Sequence, residues 1–110
     1  MPAPLALADI ILRDCGLTSA AVAPIAAALG RGFAAPGLRE LDVSQNPELG
    51  SVGLTALVAV LPPTLEVLEI SSTGCTDAAM AALADALPNL SRLLELHCSR
   101  NPRLATAGSG

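Results

Sequence analysis

Leu65-Glu66-Val67-Leu68-Glu69-Ile70-Ser71-Ser72-Thr73-Gly74-Cys75, followed by Met80, Leu83 and Leu87, carries two periods in one stretch. Leu68 and Ile70 flank the polar Glu69, the period of two expected of a strand with one buried face. Met80, Leu83 and Leu87 are spaced by three and then four, which places them on one side of a helix. Thr76-Asp77 stand where that helix would start and can satisfy its orphan N–H groups. Pro88-Asn89 stand where it would stop, because proline cannot continue the hydrogen-bond ladder. The stretch reads as strand, turn, helix.

The same unit recurs along the chain. Counted from Leu7, the residues Ile10, Leu12, Cys15, Leu17, Val22, Ile25 and Leu29 fall at the offsets that Leu68, Ile70, Thr73, Cys75, Met80, Leu83 and Leu87 hold from Leu65. Counted from Leu38, Leu41, Val43 and Asn46 keep the pattern. Leu49, Leu54, Leu57 and Leu61 then come one place late, because Asn46-Pro47-Glu48-Leu49 enlarges the turn. A fourth copy from Leu93 holds Leu96, Cys98, Asn101 and Leu104, repeats the enlarged turn, and stops before its helix. The starts lie 31, 27 and 28 residues apart. One such unit cannot cover its own apolar edge, whereas stacked units close a continuous core with parallel strands on one face and helices on the other. The expected strands are 10–12, 41–43, 68–70 and 96–98, in one domain spanning 1–110. Thr18-Ser19 and Gly50-Ser51 are the expected starts of the first two helices, and Pro62-Pro63 the end of the second.

The pattern LxxLxLxx(N/C)xL in these units resembles the leucine-rich repeat. The long unit with a full helix, and Asp14-Cys15-Gly16-Leu17-Thr18 at the turn, resemble the ribonuclease-inhibitor-like subclass. The resemblance runs from Leu7 to Leu104. It implies an α/β solenoid of about three and a half repeats, a horseshoe segment with the sheet on its concave face. It implies a protein-binding module, in a class whose members include inhibitors, scaffolds, sensors and a GTPase activator. Fold alone does not choose among those roles.

Composition narrows the field further. The 110 residues hold 6 basic and 10 acidic side chains, a formal charge of −4, and no lysine. Without a basic cluster there is little to meet phosphate, so a nucleic-acid partner is not expected. Phe33 is the sole aromatic, and many aliphatic side chains at regular positions must fill the core. Phe33 is the expected plug of the connector 30–37. Cys15, Cys75 and Cys98 form no CxxC pair and are odd in number, which argues against a disulfide framework. Cys15 and Cys75 are read as core residues in a reducing, cytoplasmic setting. Met1-Pro2-Ala3-Pro4 opens without a basic region, no signal peptide is read, and the longest apolar runs fall short of a membrane span.

No constellation points to catalysis. His97 is the one histidine, and its neighbour Cys98 is expected on the opposite face of the strand, so they cannot form a nucleophile–base pair. The glycines match neither dinucleotide- nor phosphate-binding loops. The chain is read as a non-enzyme with no cofactor and no metal. Its distinctive feature is the outward strand face, where Asp9, Glu40, Val67 and Glu95 form one row and Ile11, Asp42, Glu69 and His97 the next. A third row holds Arg13, Ser44, Ser71 and Ser99, and a fourth Asp14, Gln45, Ser72 and Arg100. Strands about 4.8 Å apart would set Asp42 beside Glu69, and like charges in register cost stability. A basic protein docking on Asp9, Arg13, Glu40, Asp42, Glu69, Glu95 and His97 would relieve that cost. Two alternatives stand beside it: a regulator of an enzyme, such as an inhibitor or GTPase activator, and a segment or self-assembling unit that associates through its C-terminal repeat. The charge-free stretches 19–29 and 54–65 on the helices would suit either alanine's helix propensity or a further contact.

Overall fold

In the computed structural model residues 9–31 and 37–101 are described. Leu7, Phe33, Leu104 and both chain ends, which entered the reading above, lie outside them. The chain alternates strand and helix: β1 (Asp9–Ile11), α1 (Ser19–Gly30), β2 (Glu40–Asp42), α2 (Gly50–Val58), β3 (Val67–Glu69), α3 (Asp77–Ala86), a 3-10 turn (Leu87–Asn89) and β4 (Glu95–His97). The strands form one parallel sheet in the order β1-β2-β3-β4. Parallel neighbours need a crossover between them, and each helix supplies one. α1 packs on α2 and α2 on α3, so the helices form a layer behind the sheet.

The register is the one the offsets imply. Ile10, Leu41, Leu68 and Leu96 align across the sheet, as do Asp9, Glu40, Val67 and Glu95. Leu41 and Leu68 point into the core with Leu38, Val43, Leu65 and Ile70, all buried. Val22, Leu29, Leu54, Leu57 and Leu83 meet them from the helices. Among the described residues the core is therefore closed by aliphatic ladders at fixed spacing.

Every strand starts and ends one residue earlier than the alternation suggests. The reason lies at the strand ends. Asp14, Gln45, Ser72 and Arg100 all adopt left-handed backbone, with φ of 51°, 59°, 56° and 57°. A side chain in that region is strained, yet the same place in all four units carries it, which turns the chain out of the sheet. Ladder bonds continue one residue beyond each of the first three strands, from Leu12 N to Asp42 O, Val43 N to Glu69 O and Ile70 N to His97 O. The row Asp14, Gln45, Ser72 and Arg100 is therefore a row of turns, and not the strand row expected. Glycine is needed at one place just beyond: at Gly74, with φ of 70°, a β-carbon would stand 2.7 Å from the Pro47 carbonyl oxygen.

The turns are tied by buried asparagines. Asn46 accepts with Oδ1 from the N–H groups of Cys15 and Leu17, 3.1 and 2.9 Å away in the preceding unit. Its Nδ2 donates to Leu12 O, Val43 O and Ser44 O. Asn101 repeats this toward Thr73 and Cys75, and donates back to Ile70 O, Cys98 O and Ser99 O. Between these two bridges, Thr73 turns its hydroxyl onto Ile70 O, and Gly50 N donates to Thr73 O. Among the described residues every buried side-chain nitrogen and oxygen has a partner, as burial requires.

Helix ends differ in part from expectation. Thr18 caps α1, its Oγ1 accepting from Ala21 N at 3.1 Å. Thr76 precedes α3 with no side-chain cap bond, and α2 starts after Leu49 with none. α2 ends at Val58, ahead of Pro62, while Pro88 lies inside the 3-10 turn that follows α3. Pro24 sits within α1 and is exposed; its missing N–H removes one helical bond without stopping the helix. No described helix is long and apolar enough to cross a membrane.

Candidate partner-binding face

The outward side of the sheet is built from alternate strand residues, and parallel pairing carries them into rows. Along the N-terminal ends run Asp9, Glu40, Val67 and Glu95. Asp9 and Glu95 are exposed and Glu40 is half-buried. One strand step on come Ile11, Asp42, Glu69 and His97, with Ile11 exposed. The structure thus brings Asp9, Glu40, Asp42, Glu69, Glu95 and His97 onto one face, with Arg13 just beyond β1.

Asp42 departs from the sequence reading. It is only 5% exposed instead of standing solvated beside Glu69. Its Oδ1 accepts from Ser44 N at 2.9 Å and from Ser44 Oγ at 2.6 Å, and Arg13 Nε lies 4.0 Å from Oδ2. A short carboxylate two residues before a chain turn can fold back onto the amide it precedes, and here it does so under the guanidinium. Glu69, one methylene longer, makes the looser version: Oε1 accepts from Ser71 N at 3.3 Å. The second acidic row is therefore partly consumed in closing the strand ends, and the accessible acids are Asp9, Glu40, Glu69 and Glu95.

His97 is exposed on β4, as a solvated strand residue would be, and it also meets two carboxylates. Its Nε2 is 3.1 Å from Glu95 Oε1, and its Nδ1 is 3.9 Å from Glu69 Oε2. The ring sits between two carboxylates on neighbouring strands, which separates charges that would otherwise repel. Cys98 turns to the other side and packs against the core, so the two form no pair. Among the described residues no group of His, Cys, Asp and Glu could hold a metal ion.

The cysteines divide. Cys75 is fully buried, and its thiol is pushed up to about 11 by burial first, then by Cys98 and Asp77 nearby. Cys15, expected in the core, is exposed; its Sγ turns back onto Leu12 O at 2.9 Å. The equivalent Asn46, Thr73 and Asn101 are buried because each follows another described unit, whereas Cys15 belongs to the first.

At the C-terminal ends of the strands a groove of about 570 Å³ opens between Arg13 and Arg100, floored by Ser44, Ser71 and Ser99 and walled in part by Glu69. The signal was present as serine at the same offset in three units.

No family model matches the chain. Over 94 residues, 83% of its length, it is 37% identical to the ribonuclease inhibitor of Mus musculus. The chain spans 20% of that relative's length. The identity supports a relationship of the leucine-rich-repeat kind, in keeping with the parallel four-stranded sheet and its three helices.

Proposed function

We propose that this chain is a non-catalytic protein-binding module, a leucine-rich-repeat solenoid segment of about three and a half repeats acting in the cytoplasm. It docks a basic protein on its concave strand face. The observation that carries this reading is the acidic end of the sheet, where Asp9, Glu40 and Glu95 share one row with Glu69 one strand step away. Asp42 and His97 hold that surface in shape more than they present charge. Four rigid strands fix the side chains in advance, so little ordering entropy opposes docking. The relative is, by its name, an inhibitor of a ribonuclease, and an inhibitor acts by binding a protein; the same kind of role is proposed here.

The test compares proteins retained from lysate by the wild-type chain and by two variants. Asp9→Lys/Glu40→Lys/Glu95→Lys reverses the strand face, and Asp85→Lys reverses a charge on α3. Partners lost by the first and kept by the second support the reading. Identical retention by all three chains refutes it.

A second reading, association through the outer edge of β4, is favoured by Leu94, which is 77% exposed beside that strand. Among the described residues that edge of β4 pairs with no strand, and such an edge is a ready template for another chain.

A further inference from the structure

The groove between Arg13 and Arg100 has a different chemistry from the rest of the face. Its lining carries two arginines, Arg13 and Arg100, against one carboxylate, Glu69. Ser71 Oγ already accepts from Ser99 N and from Ser99 Oγ, both at 3.1 Å, which leaves the Ser71 hydroxyl proton to point elsewhere. Arg13 meets Asp42 through Nε at 4.0 Å, the outer limit of an ion pair, and its side chain is 53% exposed. Among the described residues no carboxylate lies within salt-bridge distance of Arg100. The one acid in the wall, Glu69, is turned onto Ser71 N and toward His97. Asp14, exposed beside Arg13, does not line the groove.

We propose that this groove binds an acidic, extended segment of a protein partner, with one carboxylate on each arginine and the intervening backbone over the serine floor. The inference rests on the docking reading above and deepens it. The partner's footprint is then bipolar: basic groups over Asp9, Glu40 and Glu95, and an acidic segment about 13 Å further along the strands, four residues at about 3.3 Å each. Spacing sets the motif. Arg13 and Arg100 are separated by three strand intervals of about 4.8 Å, close to 14 Å in all. Carboxylates at positions i and i+4 of an extended peptide span about 13 Å. A guanidinium takes a carboxylate through two parallel N–H bonds, which gives the arrangement directional specificity.

The experiment titrates the isotope-labelled full chain with the blocked peptide Gly-Glu-Ser-Gly-Ser-Glu-Gly at low salt, following amide resonances. Expected is saturable movement of the Arg13, Ser71, Ser72, Ser99 and Arg100 amides. Arg13→Gln and Arg100→Gln should each weaken binding by about tenfold, the value of one lost charge-assisted contact. The same peptide with glutamine for glutamate should not bind, and one with adjacent glutamates should bind as weakly as either arginine variant. These peptide controls hold even if an arginine variant folds poorly. Absence of saturation, movement confined to other surfaces, or equal binding of the adjacent-glutamate peptide overturns the proposal. Inorganic phosphate binding the same amides as tightly as the peptide also overturns it, by reducing the groove to a single-anion site. With a captured partner, dependence on Asp9, Glu40 and Glu95 but not on Arg13 and Arg100 refutes the groove alone. Dependence on neither set refutes the docking reading.

Discussion

Replacing Asn46 by alanine removes five hydrogen bonds at once, three donated and two accepted. Their loss is not equally costly. Ser44 O also accepts from Asp14 N, and Leu12 O from the Cys15 thiol, so those carbonyls keep a partner. Cys15 is exposed, and water can reach its freed amide. Leu17 is buried, and its N–H has no such recourse, nor does Val43 O. A buried group left unsatisfied costs about 1–3 kcal/mol, and two of them, with the cavity of the lost amide, bring the expected penalty to about 2–5 kcal/mol. Against a total stability of about 5–15 kcal/mol, the variant should fold but melt well below the wild type. At about 4 °C per kcal/mol for a domain of this size, the fall in Tm is about 8–20 °C. Calorimetry measures the loss, and hydrogen exchange assigns it: the Leu17 amide should lose protection more than amides of α3. A Tm within about 3 °C of wild type, or uniform loss of protection across the sheet, would refute the idea that this asparagine bridges adjacent units.

Further expectations follow from the same packing. Leu68→Ala, in the buried ladder, should cost about 2–5 kcal/mol, whereas Glu69→Ala should cost less than about 1 kcal/mol because its bond to Ser71 N is long; equal losses in thermal melts would contradict the assignment of faces. In the native fold Cys15 should alkylate readily and Cys75 should not, as mass spectrometry of iodoacetamide-treated protein can show. Because folding raises the Cys75 pKa to about 11, its contribution to stability is full below the unfolded thiol value near 8.5 and is lost as pH rises through about 11; Cys75→Ala should flatten stability across that window relative to wild type. If β4 recruits a second chain, light scattering should show mass rising with concentration and Leu94→Arg should abolish the rise; a monomer at every concentration would exclude that association.

The fold was legible because the apolar residues carry it almost alone. Leu41 and Leu68, and the spacing of Met80 and Leu83, set strand, register and helix without help from long-range information. Leu87, read on the same helix face, instead falls in the 3-10 turn after α3 and is exposed. The strand boundaries were not legible, because they depend on left-handed backbone at Asp14, Gln45, Ser72 and Arg100, four residue types with no shared propensity strong enough to read. The candidate face was half legible. Alternation places Asp42 outward correctly, but its burial is set by the Ser44 amide and hydroxyl two residues on and by Arg13 from the next strand, and no spacing rule expresses that. Asn46 and Asn101 stood in the pattern as positions, while their work as bridges appears only once the units are stacked. Cys15 and Cys75 hold different offsets, aligned with Thr73 and Leu17 respectively; both were read as core, and only Cys75 is buried.

The most direct test of the central claim, that the strand face is the docking surface, is to map a captured partner on the isotope-labelled chain. Amide resonances are recorded with and without the unlabelled partner, at low salt and at physiological salt. The account requires the largest changes at Asp9, Glu40, Glu69 and Glu95, and weaker binding as salt screens those charges over about 8 Å. Changes centred on the outer faces of α1, α2 and α3, with binding indifferent to salt, would contradict it.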